Sequence, residues 1–406
     1  MNDYTRRKLR AAVSFVLVAF FVLEAAVRVI SRHDADGNRW FGGVRLKPYQ
    51  LPVHRAAKLV REYAVAQTRK LIYDPDIGWI PQPSRNGNNV HSFYATTTNV
   101  TFAPATNRLR VAIFGASYSA GYFETGWWRA LEKTLNAAGV DTEVFNFGCG
   151  GYAMDQAFLR WRKQGAAFQP HIVLFGFTRQ NCENNLNLLR MVADPDTGIP
   201  FMKPRFLLAH DELQLLNTPT PTPEQLPDLV AHFRDWPLAA QEHHFVLEDF
   251  SWRAWRHSAL LALFEARVAS ARERKTGESF YEANGEAGQL ALKIVRQFKT
   301  ETEAAGSSFY VVHLPAEADL RTFQATGNYA FADLFAAVQH SATVIQPELA
   351  LLAAAQGHSL SRYFSDGHYT NEFNPVLGQA VGEALLARPE VIRFRAAHSL
   401  GVSGVR

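Results

Sequence analysis

The chain has 406 residues, of which 47% are hydrophobic and 20% are charged. This is enough apolar material for a folded core, and it excludes a disordered or low-complexity protein. The 42 Lys and Arg residues exceed the 38 Asp and Glu residues by four, without a basic stripe, so we expect no nucleic-acid partner. Two cysteines are too few for a disulfide scaffold or a zinc site of four thiolates.

The N-terminal segment predicts a membrane anchor. Four basic residues between positions 6 and 10 precede an apolar run from Ala11 to Leu23, which resumes after Glu24 and reaches Ile30. A run of about 20 residues can cross a bilayer, and basic residues before it favour a cytoplasmic N-terminus and an exported remainder. Glu24 and Arg28 can pair or snorkel near the outer interface. A cleaved signal peptide and a buried core helix remain alternatives.

Beyond the anchor, residues 33–105 predict an irregular lead-in, with turns at 74–78 and 86–89. From about residue 108, short apolar runs alternate with helical patterns. The predicted strands span 109–114, 142–147, 172–177, 309–314 and 342–345, and the predicted helices lie around 128–135, 156–163, 289–305 and 375–386. This alternation predicts a parallel sheet that is covered by helices on both faces.

Between the third and fourth predicted strands lies a long insertion. Its Thr-Pro run at 218–223 predicts an extended loop. We expect the apolar side chains that follow to pack the insertion onto the core, although a lipid-binding lid is the alternative; these are Phe250, Trp252, Trp255, Leu260, Leu261 and Phe264. His243 and His244 lie among acidic residues but lack the spacing of a zinc helix, so a polar helix face is favoured.

Parallel sheets bind ligands beyond the carboxyl ends of their strands, so the loops at that edge are the candidate sites. The first strand is followed by Gly115-Ala116-Ser117, which presents a serine hydroxyl at a strand end. The turn is not a G-x-S-x-G elbow, because Ser119 occupies the second glycine position. Taken alone, this serine is more typical of a structural turn than of a nucleophile.

Three further loops carry polar groups. The second strand is followed by a glycine-rich loop ending in Gly151, whose backbone N–H groups can approach a ligand. Asn181 follows the third strand, and Asp366 and His368 precede the last helix. A carboxylate two residues from an imidazole can accept a hydrogen bond from its Nδ1–H and leave Nε2 free as a base. Together these residue types match the nucleophile, oxyanion donors, base and orienting acid of acyl transfer.

The same residues resemble the motifs of the SGNH or GDSL hydrolases. Gly115-Ala116-Ser117 is similar to their Gly-Asp-Ser block, Asn146 and Gly151 match the second block, Asn181 the third, and Asp366 with His368 the last. The resemblance covers about residues 105–390. The anchor, Gly78-Trp79, Lys203-Pro204 and 213–216 also resemble membrane-anchored bacterial members.

The resemblance implies a flavodoxin-like α/β/α sandwich and an esterase, lipase or acyltransferase that needs no metal or organic cofactor. It divides the chain into a cytoplasmic tip and anchor (1–32), the lead-in (33–105), a hydrolase domain (106–395) with a helical insertion at about 186–288, and a tail (396–406). The expected substrate is a small-molecule, glycan or lipid ester. The expected location is a bacterial inner membrane, with a single span and the catalytic domain in the periplasm.

The expected catalytic residues are Ser117, Asp366 and His368, and the expected oxyanion donors are the N–H groups of Ser117 and Gly151 and the amide of Asn181. The sequence departs from the family where Ala116 and Cys182 replace aspartates and where Asp-x-x-His is shortened to Asp-x-His. Neither lost aspartate is a nucleophile or a base, so all the residues that acyl transfer is expected to need are retained. The substitutions leave one alternative, a catalytically silent carbohydrate-binding or assembly protein of the cell envelope.

The two cysteines lie in loops that flank the Ser117 loop if the first three strands have the order 2-1-3. Cys149 is in the glycine-rich loop and Cys182 follows Asn181. An exported protein could form a disulfide there, which would clamp the oxyanion donors. Two buried free thiols are the alternative.

Overall fold

The computed structural model describes residues 3–83, 91–97, 100–105, 107–121 and 126–399. The turn predicted at 86–89 and the end of the tail, from residue 400, lie outside these ranges. The helices are α1 (Asp3–Ile30), α2 (Val53–Val65), α3 (Ser117–Ala120), α4 (Trp127–Ala137), α5 (Met154–Lys163), α6 (Gln180–Asn184), α7 (Arg190–Ala193), α8 (Leu226–Ala231), α9 (Ala259–Ser279), α10 (Glu286–Ala304), α11 (Glu317–Thr326), α12 (Ala332–Ser341), α13 (Glu348–Ala354), α14 (Phe373–Leu386) and α15 (Pro389–Ser399).

The strands form one six-stranded sheet and several small antiparallel sheets. They are β1 (Arg32–His33), β2 (Arg39–Phe41), β3 (Val44–Arg45), β4 (Leu71–Asp74), β5 (Gly78–Pro81), β6 (Tyr94–Ala95), β7 (Leu109–Phe114), β8 (Thr142–Asn146), β9 (Ile172–Phe177), β10 (Arg205–Ala209), β11 (Glu212–Leu216), β12 (Ser308–His313), β13 (Val344–Ile345), β14 (Phe364–Ser365) and β15 (His368–Tyr369). By compactness the chain divides into two units, described separately below.

The larger unit comprises Ala66–Thr197, Phe201–Thr222 and Ser279–Arg406 and contains the main sheet. Its strand order is β13-β12-β9-β7-β8-β6, in which only β6 runs antiparallel to its neighbour. The first three predicted strands therefore have the order 2-1-3. This confirms the predicted flavodoxin-like fold and places the ends of β7, β8 and β9 side by side.

Helices cover both faces of this sheet. On one face, α4 and α14 pack together with the apolar side chains of β7 and β9 in one buried cluster. They approach closely because α14 has glycines at the contact: a Cβ on Gly378 would lie 2.1 Å from the Trp127 carbonyl oxygen. On the other face, Phe298 of α10 contacts Phe114 of β7 and Phe158 of α5, with ring centroids 5.7 and 5.1 Å apart. The sheet is thus the middle of three layers, as predicted.

The smaller unit comprises Met1–Val65, Gly198–Pro200 and Pro223–Glu278. It contains α1, the three-stranded sheet β1–β3, α2, α8 and α9. Residues Tyr4–Ile30 of α1 form one helix that is long and apolar enough to cross a membrane, and nearly all of its apolar side chains are exposed.

The lead-in and the insertion differ from the sequence expectations. Residues 33–105 contain α2 and the hairpin β4–β5, and β6 joins the main sheet through pairing with β8. The aromatic side chains of the insertion were expected to pack against the core. Instead Trp252, Trp255 and Phe264 are 65%, 50% and 69% exposed. Apolar content alone could not distinguish a buried from an exposed cluster.

Candidate active site

The serine loop begins where β7 ends. Ser117 is the first residue of the short helix α3 and is half-buried. Gly115 makes the turn possible, because its φ is +152° and a Cβ there would lie 2.1 Å from the Ser119 Oγ. Ser119 is fully buried between Gly115 and Gly176, whose Cβ would lie 2.0 Å from the same oxygen. Ser117 is therefore the serine of this loop that a substrate can reach.

His368 meets Ser117 across 251 residues of sequence. The His368 Nε2 lies 2.7 Å from the Ser117 Oγ, which is hydrogen-bonding distance. The other ring nitrogen, Nδ1, lies 2.8 Å from the main-chain carbonyl oxygen of Asp366. The pair thus has the geometry of a nucleophile and its base, with Nδ1 held as the donor.

Asp366 orients the imidazole differently from the sequence expectation, which gave that role to its carboxylate. The Asp366 side chain is exposed, and its backbone carbonyl accepts the hydrogen bond instead. The physical reason is the backbone: Asp366 and Gly367 have φ values of +48° and +74°, and this left-handed turn brings the carbonyl to the ring. The negative charge of the carboxylate raises the pKa of His368.

The imidazole is held largely neutral. Burial lowers the pKa of His368 below its ordinary value of 6.5, because the charged imidazolium loses contact with water there. The hydrogen bond to the Asp366 carbonyl and the charge of the Asp366 carboxylate raise this pKa in part. A base with a lowered pKa is unprotonated at neutral pH and can accept the serine proton.

The exchange Asp366→Asn tests this division of roles. Because the carbonyl bond remains, we expect activity to fall about fivefold or less, the scale of an exposed charge interaction of about 0.2–1 kcal/mol. Activity should rise with pH through the pKa of His368, which lies below 6.5. In the variant this rise should occur at lower pH, because the Asp366 charge that raises the pKa of His368 has been removed. The measurement is kcat/KM against pH; a loss of about 10⁴-fold would assign the orienting role to the carboxylate.

Two sets of hydrogen bonds hold the loop after β8 in place. The Trp79 indole donates to the Gly150 carbonyl at 3.0 Å, and the Tyr152 hydroxyl donates to the Trp79 carbonyl at 2.6 Å. Asn146, at the end of β8, donates to the Ser119 carbonyl at 2.8 Å and accepts from the Gly148 N–H at 2.9 Å. Hydrogen bonds therefore tie the loop that carries Gly151 both to the lead-in and to α3, the short helix that begins at Ser117. The sequence identified Asn146 only as a motif match.

Asn181 lies at the adjacent strand end, in α6 after β9. Its side-chain Oδ1 accepts a hydrogen bond from the Thr178 hydroxyl at 2.9 Å, which fixes the orientation of the amide. The residue is 2% exposed, and its Nδ2 is buried without a hydrogen-bond partner among the described residues. An oriented, unpaired buried donor is costly unless a ligand satisfies it, and this is the property of an oxyanion donor.

Sequence reasoning missed Tyr118, which follows the serine directly. Its hydroxyl donates to the Gly367 carbonyl, and its ring lies 5.1 Å from the His368 ring and 5.1 Å from that of Tyr369. Burial raises the pKa of the Tyr118 hydroxyl, so it remains a donor at neutral pH. Tyr118 thus connects the serine loop to the histidine loop. A tyrosine after a serine is common, so no sequence signal could have identified this contact.

The exchange Tyr118→Phe removes the hydrogen bond to Gly367 and keeps the ring. We expect kcat to fall about three- to tenfold with KM unchanged, because one hydrogen bond of about 0.5–1.5 kcal/mol no longer holds the base in register. Tyr310→Phe is the matched control, since the Tyr310 hydroxyl donates to Glu390, outside the site. Equal effects of both exchanges on kcat would mean that the Tyr118 bond is only structural.

The cysteines do not form the disulfide that the sequence allowed. Cys149 and Cys182 are free thiols and both are buried. Although their loops flank the serine loop, the Cys149 Sγ is directed to the Gly150 carbonyl oxygen, 3.8 Å away. Burial raises the pKa of each thiol to about 12, so neither is a reactive thiolate at neutral pH.

Thiol titration provides the corresponding prediction. We expect two thiols per chain to react in unreduced, denatured protein, and neither to react readily in the native protein at pH 7, because both are buried and protonated. A maleimide reagent with mass detection measures both values. Denatured protein without reactive thiols would establish a bond after all.

The chemistry available to this arrangement is nucleophilic attack by a serine hydroxyl with histidine as the base. No group of three or more metal-binding side chains converges in the part of the chain that the structure describes.

The candidate residues lie at the ends of the sheet strands in the order that the sequence predicted. Ser117 follows the first strand, Asn181 follows the third, and His368 precedes the closing helix, in a sheet with the order 2-1-3. This sheet order is that of the flavodoxin-like fold that the sequence predicted.

Comparison with known proteins gives matches in structure but not in sequence. No family model and no curated protein matches the sequence. Among solved structures, the chain is similar to Axe2, an acetylxylan esterase from Geobacillus stearothermophilus (10% identity, 67% of this chain and 92% of that chain, TM-score 0.35). It is also similar to TesA (14%, 68% and 97%, TM-score 0.34) and to a GDSL-like lipase from Bacteroides thetaiotaomicron (11%, 70% and 90%, TM-score 0.31).

Proposed function

We propose that the chain is a serine esterase or O-acyltransferase that acts on a carbohydrate- or lipid-linked ester. The observation that carries this proposal is the 2.7 Å contact between the Ser117 Oγ and the His368 Nε2 at the carboxyl edge of the sheet. The orienting bond to Nδ1 and the unpaired Asn181 amide support it. The lost family aspartates do not weaken it, because neither position supplies a group to this pair.

The reaction begins when the Ser117 Oγ attacks the ester carbonyl carbon while the His368 Nε2 takes the hydroxyl proton. Negative charge collects on the former carbonyl oxygen, where Asn181 and the N–H groups of Ser117 and Gly151 donate hydrogen bonds. The imidazolium then gives its proton to the leaving alcohol, and the acyl group stays on Ser117. Water completes a hydrolysis, whereas a sugar hydroxyl as acceptor completes an acyl transfer; in both cases His368 accepts and returns one proton.

Covalent labelling tests the nucleophile directly. A fluorophosphonate probe should label the folded protein, and the label should be lost in Ser117→Ala. Ser119→Ala is the matched control, since the Ser119 hydroxyl is fully buried and has no hydrogen-bond partner among the described residues. An unlabelled, folded wild-type protein would favour the silent carbohydrate-binding alternative. If the probe labels the protein, its rates of hydrolysis of acetyl and longer acyl esters would then show which acyl group it prefers.

We further propose that α1 anchors the enzyme in a bacterial inner membrane with the hydrolase unit in the periplasm. The support is the length and apolar surface of α1 and the basic residues that precede it. A reporter that is active only outside the cytoplasm, fused after Arg406, should be active. A mature protein that begins near Ala26 or later would instead indicate a cleaved signal peptide.

A further inference from the structure

The smaller unit contains an apolar surface beside the membrane-spanning helix, and its position relative to a bilayer can be worked out. The apolar part of α1 begins after Arg10. Glu24 lies fourteen residues further along the helix, about 21 Å at 1.5 Å per residue. The hydrocarbon core of a bilayer is about 30 Å thick, a length that α1 reaches near Ile30. Glu24 therefore lies about 9 Å inside the outer edge of the hydrocarbon.

A carboxylate at that depth needs partners, and it finds them at the start of α9. Glu24 accepts hydrogen bonds from the Ser258 hydroxyl at 2.7 Å and from the N–H groups of Ala259 and Leu260 at 2.9 and 2.8 Å. Arg28 bonds the same carboxylate and the His257 carbonyl. Since the first N–H groups of a helix have no partner within it, Glu24 caps α9. The start of α9 is thereby fixed at the depth of Glu24.

Part of the exposed surface of α9 is apolar, and the exposed Arg267 lies beside it. Leu261, Phe264 and Val268, three and four residues apart, share one face and are 39%, 69% and 36% exposed. The alanines at 259, 262 and 266 are buried on another face, where 259 and 262 form a small apolar cluster with Val27 of α1. Two such faces on one helix mean that α9 packs on the anchor and presents its larger side chains outward.

Two tryptophans before α9 extend this surface. Trp252 and Trp255 are 65% and 50% exposed. Their indole N–H groups are satisfied within the same segment: Trp252 donates to His257 at 3.2 Å and Trp255 to Glu265 at 3.0 Å. What remains exposed is ring surface. Tryptophan is enriched at membrane–water interfaces, where its ring is partly immersed.

We propose that this surface, the collar, inserts into the outer leaflet of the bilayer that α1 crosses. The collar consists of Trp252, Trp255, Leu261, Phe264 and Val268. The occupant is lipid because the collar is continuous with the anchor and begins at a depth that lies within the hydrocarbon. The inference rests on the proposed membrane anchoring but not on the proposed ester chemistry. The collar thus gives the smaller unit a second attachment to the membrane surface.

Site-specific fluorescence on the full chain in lipid vesicles tests the proposal. Phe264→Cys carries an environment-sensitive dye, and the native cysteines, both buried, should not react. Phe15→Cys in the middle of α1 is the membrane control, and Leu349→Cys on α13, 74% exposed, is the aqueous control. Vesicles contain a phospholipid with a nitroxide on its acyl chain near the headgroup. We expect at least twofold quenching by this lipid, and protection from aqueous iodide, for dyes at positions 264 and 15 but not at 349.

Each other outcome overturns the proposal. A dye at position 264 that behaves like the one at 349, while position 15 is quenched, would show that the anchor spans the bilayer but the collar does not touch it. A dye at 264 that is protected from iodide without lipid quenching, together with cross-linking between chains through that position, would assign the collar to a second copy. Absence of lipid quenching at position 15 would contradict the anchoring itself. Fluorophosphonate labelling of the same variants monitors the hydrolase unit independently.

Discussion

Replacing Ser117 by alanine should lower the turnover of an ester substrate by about 10⁴–10⁶-fold, and replacing His368 by alanine should have an effect of similar size. In the proposed mechanism the two side chains act as one unit, because the Ser117 Oγ becomes a strong nucleophile only when the His368 Nε2, 2.7 Å away, removes its proton. For the same reason, the double variant should be hardly less active than either single variant.

The measurement is kcat under saturating substrate, with Ser119→Ala as the matched serine control. Folding should be retained in both variants, since both side chains are only partly buried and lie at the ends of strands, outside the apolar core. Circular dichroism and thermal melting check this. Esterase activity near the wild-type level in folded Ser117→Ala protein would refute the mechanism, and an intact rate in His368→Ala would require another base.

Replacing Asn181 by alanine should lower kcat by about 10²–10³-fold, which corresponds to about 2.7–4 kcal/mol of lost transition-state stabilisation. The loss should fall on kcat more than on KM, because an oxyanion donor bonds most strongly to the charge that develops in the transition state. Asn181→Asp should lose at least as much activity, since it replaces the buried Nδ2 donor by an acceptor that repels the oxyanion.

Asn184→Ala is the matched control, because Asn184 is in the same short helix and is half-buried. Fluorophosphonate labelling should slow in Asn181→Ala but remain detectable, whereas Ser117→Ala should not be labelled at all. An unchanged kcat in Asn181→Ala would remove this residue from the oxyanion hole and leave the backbone N–H groups as its donors.

Five of the six strands of the main sheet, and the order of the motifs, could be predicted from the sequence, whereas β6 could not. The strands Leu109–Phe114 and Ile172–Phe177 were predicted to the residue. Strands of a parallel sheet are buried on both faces, so they appear as continuous apolar runs with clear ends. Because ligands bind beyond the carboxyl ends of parallel strands, the polar residues after each strand then placed the candidate site at one edge of the sheet.

The contacts within that site were decided by tertiary structure. The sequence could pair Asp366 with His368 but could not show that a left-handed backbone at Asp366 brings its carbonyl, and not its carboxylate, to the ring. The contact of Tyr118 with Gly367 likewise depends on two loops that lie 249 residues apart. Local patterns carry no information on such distances, because the fold of the whole sheet brings these loops together.

The cysteines and the collar are further features that the sequence could not predict. Neighbouring loops allowed a bond between Cys149 and Cys182, but in the structure both are buried free thiols. The apolar composition near Phe264 was compatible with burial against the core, yet the small alanines of α9 face α1 and the large side chains face outward. Composition determines that apolar surface exists, whereas only packing determines which part of it stays uncovered, since that depends on which neighbours the fold supplies.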